Sequence, residues 1–421
     1  MKKFIYLALL LVIGSRLQYA VASDFKFKAG LGYDFISQEY FLDSLITSGI
    51  DSGFTQFQLT NDYLDDARGI FQVSYRPGQS RDFELTGKIE QTKDYLRLRQ
   101  FNSIYTKLGS SNLLLNTELD YRDKQSDDSN LGNSYINGEL YAKLKSPLSR
   151  SLYSIVQVES ELVDFKDNSA FSYDYNRIGG KIGLEKNFEN FSFANIKLFY
   201  LHRAVPDSGA LAYNQYGLEN SYLGFYAKGE VDLFSRLEYK DYNSPDNQDD
   251  YLRLYLTAHN KYRLKNGYFF KQNLDLEWFN YGDEEILNQD NWQPKLQLLL
   301  GWENADLSLA AGAHFEMYQE LNDSLFYSQS YFESGGMVEF DLFKIDRIFL
   351  SAESISGFRN YYQNDELQTD FGFERLNLFG ELKIYQGLDF NFLFSTEFEW
   401  HELKSNDTRI YLLSSSLTYS F

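Results

Sequence analysis

From Asp24 to Phe421 apolar and polar side chains alternate with a period of two, and the alternation is interrupted again and again by clusters of turn-forming residues. The first run places Phe25, Phe27, Ala29, Leu31, Tyr33 and Phe35 on one face. Lys26, Lys28, Gly30, Gly32 and Asp34 lie on the other. Ile136, Gly138, Leu140, Ala142 and Leu144 alternate with Asn137, Glu139, Tyr141 and Lys143. Phe390, Phe392, Phe394, Thr396, Phe398 and Trp400 alternate with a polar series that includes Glu397, Glu399 and His401. Because successive side chains of an extended chain point to opposite faces, this pattern predicts strands with one apolar face, and no segment of this region carries a convincing helical period. The last run, Ile410 to Phe421, has Tyr411, Leu413, Leu417, Tyr419 and Phe421 on one parity, with Ser414, Ser416, Thr418 and Ser420 between.

The interruptions come in two alternating kinds. Short ones include Ser146-Pro147-Leu148-Ser149, Lys265-Asn266-Gly267, Asn304-Ala305-Asp306 and Gln386-Gly387. Asn-Gly is a tight-turn signal because both positions tolerate positive φ. Longer polar ones run over Asp123–Asn133, Lys166–Ala170, Pro206–Ala210, Asn243–Asp250, Gly282–Asn291, Glu320–Ser330 and Tyr361–Thr369. Counting back from Phe421 gives roughly 16 strands from about residue 112, and about 20 in all, with 18 to 22 compatible with the pattern. Gln38–Gly53, with Phe41, Leu42, Leu45 and Ile46, keeps no clean period. It reads as an external loop, an ill-defined strand, or a segment folded inward as a constriction.

The N-terminus has Lys2-Lys3, an apolar run from Phe4 to Ile13, and the small-x-small site Ala20-Val21-Ala22. The run is too short for a mature spanning helix, so residues 1–22 read as a signal peptide rather than an anchor, and 23–421 as a single domain. After residue 22 no apolar stretch approaches the ~18–20 residues of a membrane helix. Yet 18% of residues are aromatic, with 34 Tyr and 36 Phe, while only 5 Pro and no Cys occur. Lipid on one side, water on the other and aromatic belts at both interfaces account for that load.

With these features the chain resembles bacterial outer-membrane β-barrel proteins of the porin-like kind. The resemblance rests on the leader, the hairpin periodicity, the aromatic content and the aromatic terminal strand. It implies an all-β, antiparallel up-and-down transmembrane barrel integral to the outer membrane. It also implies contact with outer-membrane lipid and lipopolysaccharide, and reading of Leu417, Tyr419 and Phe421 by the barrel-insertion machinery. Homo-oligomers are left open, since porins are often trimers and larger barrels often monomers.

Formal charge is −20, and loss of Lys2, Lys3 and Arg16 with the leader would make the chain more acidic still, which argues against nucleic acid. Parity places Arg97, Arg99, Arg253, His259, Lys261, Arg263, Glu159, Glu161, Glu397 and Glu399 on the lumen side, as candidate pore-lining residues. Either they set a field across a hydrated pore or they pair with one another to fill it. A barrel phospholipase needs His with Ser and Asn at the lipid interface. No spacing links His202, His259, His314 or His401 to a nucleophile or metal partner, so no catalysis, metal or cofactor is expected. Asp246–Asp250 and Asp283–Glu285 offer oxygen ligands for Ca²⁺ but match no calcium motif, and solvated loops are the simpler reading. The expected function is a passive channel for small hydrophilic solutes or ions. The alternative is a structural or adhesion barrel with a filled lumen.

Overall fold

The computed structural model describes residues 24–48, 51–76, 82–125, 134–166, 173–206, 209–243, 250–281, 290–321, 330–344, 347–363, 369–402 and 407–421. Side chains are described there except at 38–65 and 210. The leader and both acidic loop clusters, apart from Asp250, lie outside these residues. Twenty strands follow one another: β1 (Phe25–Ser48), β2 (Asp51–Tyr75), β3 (Phe83–Gln91), β4 (Tyr95–Leu108), β5 (Ser111–Lys124), β6 (Tyr135–Pro147), β7 (Leu152–Phe165), β8 (Tyr175–Asn187), β9 (Phe193–Ala204) and β10 (Tyr213–Tyr226) form the first half. The second half is β11 (Gly229–Tyr242), β12 (Tyr251–Arg263), β13 (Tyr268–Tyr281), β14 (Asn291–Glu303), β15 (Leu307–Glu320), β16 (Tyr331–Lys344), β17 (Ile348–Tyr361), β18 (Phe371–Tyr385), β19 (Leu388–His401) and β20 (Thr408–Ser420). Every strand pairs antiparallel with its chain neighbours, and β20 pairs with β1 from Lys28↔Ser420 to Tyr40↔Thr408, so the sheet closes. Closure leaves the wall without a free edge, the condition for a sheet to sit in lipid.

The connections alternate as the turn chemistry predicts. At the rim where β1 begins and β20 ends they are short, the longest running from 76 to 82 between β2 and β3. Asn266 (φ 61°) and Gly267 (φ 81°) take the left-handed conformation that Asn-Gly favours. At the opposite rim the connections are longer, with two exceptions: β2 begins at Asp51 directly after β1 ends at Ser48, and β3 and β4 are joined by Thr92–Asp94 alone, where the Thr92 Oγ1 accepts the Asp94 and Tyr95 N–H groups.

Beside that low hairpin stands a tall one. β1 and β2 stay paired out to Ser48↔Asp51, although β20 reaches only to Tyr40 and β3 only to Gly69. Gln38–Ser48 and Asp51–Gly53 are therefore the continuation of a hairpin, neither a loop nor an inward constriction. The one register shift, between Ile36 and Ser37, puts the extra residue on β2, where Tyr63 is skipped between Leu64 and Asp62, and β1 itself runs on unbroken beside β20; past Tyr40 the hairpin stands above its neighbours, where no barrel wall imposes an apolar face.

The two faces differ in kind. One exposes Ile178, Ile182, Leu184, Ile196, Leu198, Leu237, Leu300 and Leu417. On this face Tyr216 and Tyr226 lie at opposite ends of β10, about 25 Å apart along the barrel axis for a strand tilted ~40°, which matches the apolar band of a membrane barrel. Ile182 (60% exposed) pairs with Leu198 (58%) at mid-strand on this outer face. Arginine at 182 is therefore expected to cost about 2–4 kcal/mol. The same change at inward, exposed Asp232 should stay within about half a kcal/mol. Urea unfolding of the two variants in lipid vesicles checks the contrast, and equal costs would misplace the lipid face.

Candidate functional site: the inner wall

The inner face is identified by ion pairs that skip over strands, since side chains converge only on the concave side of a sheet. Lys271 on β13 reaches both carboxylate oxygens of Glu339 on β16, each at 2.8 Å. Lys181 on β8 meets Glu219 on β10 at 2.9 Å, and Lys261 on β12 meets Glu303 on β14 at 2.5 Å. Lys145 on β6 pairs with Glu185 on β8.

All ten charged residues singled out by parity share this face through the strand registers. Arg97 pairs with Asp120, and Arg99 lies 3.6 Å from Glu90. Arg253 meets Glu277 at 2.5 Å and Glu238 at 3.3 Å. Arg263 joins Lys261 on Glu303 at 3.2 Å, and His259 Nε2 lies 3.2 Å from Asp275. Glu161 holds Arg177 at 2.7 Å and accepts the Tyr175 hydroxyl at 2.8 Å. Glu159 faces Gly179 in register. Glu397 binds Arg375 at 2.7 Å, and Glu399 accepts the Thr408 hydroxyl at 2.7 Å.

Among the described residues these bonds run along the wall, between strands one to three apart, and none joins opposite walls. Charge is also spread unevenly. On β15–β20 the inner positions include Glu316, Glu339, Asp341, Glu353, Glu381 and Glu397, with far fewer cations to match. The lysines and arginines concentrate on β4–β14.

The most tightly built part is on β15–β18 and was not legible from spacing. Glu333 is fully buried. Its Oε1 receives His314 Nε2 at 3.0 Å and Arg375 Nη1 at 2.8 Å; its Oε2 receives Arg359 Nη2 at 2.8 Å and Arg375 Nη2 at 3.3 Å. Buried apolar residues of the same inner face, Leu299, Met337, Ile355, Phe371 and Phe373, lie beside it. His314, Glu316 and Glu333 offer ligand atoms within 4.8 Å of one another, the spacing of a metal centre. The donor set does not suit one. Two guanidinium groups already occupy Glu333, and Glu316 accepts the Tyr331 hydroxyl at 2.7 Å and the Gln293 amide at 2.8 Å. A cation would have to displace or neighbour two fixed positive charges. The cluster is a charge knot in the wall.

His202 faces the other way, on the outer side near the long-loop rim. Its Nδ1 lies 2.9 Å from Asn214 Oδ1, which also accepts the Tyr200 hydroxyl at 3.1 Å. His and Asn are two members of the phospholipase trio. The positions around His202 on that face are Tyr200, Ala204, Ile178 and Tyr216, and none is a serine. His401 Nδ1 bonds the Thr369 hydroxyl at 2.8 Å on the inner side.

No family model and no curated protein matches the chain by sequence. Solved structures do match in shape. The FrpB iron transporter from Neisseria meningitidis superposes with a TM-score of 0.54 at 8% identity, over 97% of this chain and 83% of its own. The copper transporter OprC gives 0.53 at 9% identity, over 92% and 81%. OccAB3 of Acinetobacter baumannii gives 0.51 at 12% identity, over 95% and 100%. At such identities the likeness speaks for the fold: this is the closed antiparallel barrel of outer-membrane porins and transporters.

Proposed function

We propose that this protein is an outer-membrane channel through which small hydrophilic solutes or ions pass passively. One observation carries the reading: the inner wall is polar and charged, and its described bonds run along the wall rather than across it. Twenty strands about 4.8 Å apart and tilted ~40° enclose a ring on the order of 40 Å across, into which side chains reach only about 6 Å from each wall. Side chains alone do not fill such a lumen, which weighs against the structural or adhesion barrel. The acidic arc on β15–β20 opposite the basic one sets a field across the lumen, so a hydrated charged solute is favoured over an apolar one. The charged positions named above, from Arg97 to Glu399, line that path. The resemblance to transporters and porins agrees with carriage across the membrane but does not choose between passive and driven passage.

The purified barrel in a planar lipid bilayer in potassium chloride is expected to give discrete, stable conductance steps without added energy. A heat-modifiable, folded barrel that stays silent would remove the channel and leave the structural reading.

A further inference from the structure

On β8–β12 the inner-wall cations are otherwise matched to carboxylates among the described residues: Arg177 to Glu161, Lys181 and Lys197 to Glu219, Arg236 and Arg253 to Glu238. Arg203 on β9 and Lys240 on β11 break this rule. Among the described residues neither lies at ion-pair distance from an acid; Glu161, beyond Arg177 in the register from Arg203, and Glu238, two residues from Lys240, are held by the arginines just named. Tyrosine rings stand in the acids' place. The Arg203 guanidinium carbon is 4.1 Å from the centre of the Tyr175 ring and 5.8 Å from that of Tyr213; Lys240 Nζ is 3.9 Å from Tyr213 and 4.8 Å from Tyr242. Arg203 and Lys240 thus converge on one ring from the two strands that flank it, and Arg203 Nε is buried with no hydrogen-bond partner.

Two half-buried cations around a shared aromatic ring repel each other, and rings relieve a cation by only about 0.5–2 kcal/mol. An acid at ion-pair distance would relieve them as it does elsewhere on this wall, and among the described residues none stands there, since Glu238, two residues from Lys240, is bonded to Arg236 and Arg253. We propose that the Arg203–Tyr213–Lys240 cluster is a binding site for a small organic anion with a flat apolar body, such as an aromatic carboxylate. The carboxylate would lie between guanidinium and ammonium, accepting from both, while the body packs on the tyrosines. The site lies at the mouth of the lumen and rests on the channel reading, which it deepens by naming a solute class.

The test is calorimetric titration of sodium benzoate into the detergent-refolded barrel at low salt. Measurable binding is expected, weakened at least tenfold in Arg203→Gln and in Lys240→Gln. Lys143→Gln removes a luminal cation on β6 and should leave binding unchanged; benzylamine, the cationic analogue, should not bind. Absence of benzoate heat, or equal weakening in all three variants, would overturn the site. Heat-modified mobility reports folding of each variant, and if Arg203→Gln does not fold, Lys240→Gln decides. Conductance of the same preparation is read separately. A conducting barrel that ignores benzoate ends the anion site alone, and a silent barrel that binds it ends the channel alone.

Discussion

Replacing Glu333 by alanine is expected to destabilise the barrel by about 3–5 kcal/mol, the cost of stranding buried charges whose counter-ion is gone. The side chain has no exposure and receives His314, Arg359 and Arg375. Removing it leaves two guanidinium groups facing each other beside a fully buried imidazole on a wall packed with Met337, Ile355, Phe371 and Phe373. Glu397 provides the comparison, because it binds Arg375 from a side chain that is 32% exposed. Its replacement by alanine should cost no more than about 1 kcal/mol. Urea midpoints of the two variants in lipid vesicles, followed by tryptophan fluorescence, measure the difference. Equal midpoints would mean that the knot is an incidental cluster of charges rather than a tie across four strands.

Deleting Phe421 is expected to lower the amount of folded, heat-resistant barrel in the outer membrane at least about tenfold. The residue closes the ring: its N–H donates to the Phe27 carbonyl at 2.9 Å, and the Phe27 N–H donates back at 3.3 Å. Its ring meets that of Tyr419 at 5.1 Å, on the outer face with Leu417. Two hydrogen bonds are worth about 2 kcal/mol together in water, and open backbone groups cost more in lipid, so a tenfold shift in population is a modest expectation. The seam is also tight inside, where a Cβ on Gly30 would stand 2.3 Å from the Leu417 carbonyl oxygen. Phe421→Ala keeps the backbone bonds and removes only the ring, so it separates closure from recognition of the terminal aromatic side chain by insertion machinery. A truncated chain that reached the membrane at normal abundance would sink both roles.

Much of the architecture was legible in advance for a simple reason. Alternation is a local property, and a two-residue period reports strand, face and turn without knowledge of partners. The run from Phe390 to Trp400 is β19, and the 16 strands counted back from the end are β5 to β20. Legibility stopped past Tyr40, where β1 and β2 outrun β20 and β3 and no neighbouring wall imposes the two-residue period that would have marked the continuing hairpin. It also stopped at Glu333. The parity of that residue within β16 was readable, but a lone glutamate between Phe332 and Ser334 gives no sign of three donors arriving from β15, β17 and β18.

Sequence alone thus settled the class of fold, the succession of hairpins, the side that the regularly alternating residues face, and the strand that must close the ring. Tertiary structure alone decided which charge meets which. Pairs such as Lys271–Glu339 depend on the stagger between strands and on the inward curvature of the closed sheet, neither of which is written in the period of any one strand. The same stagger matches most inner-wall cations on β8–β12 to acids and leaves Arg203 and Lys240 to their tyrosines.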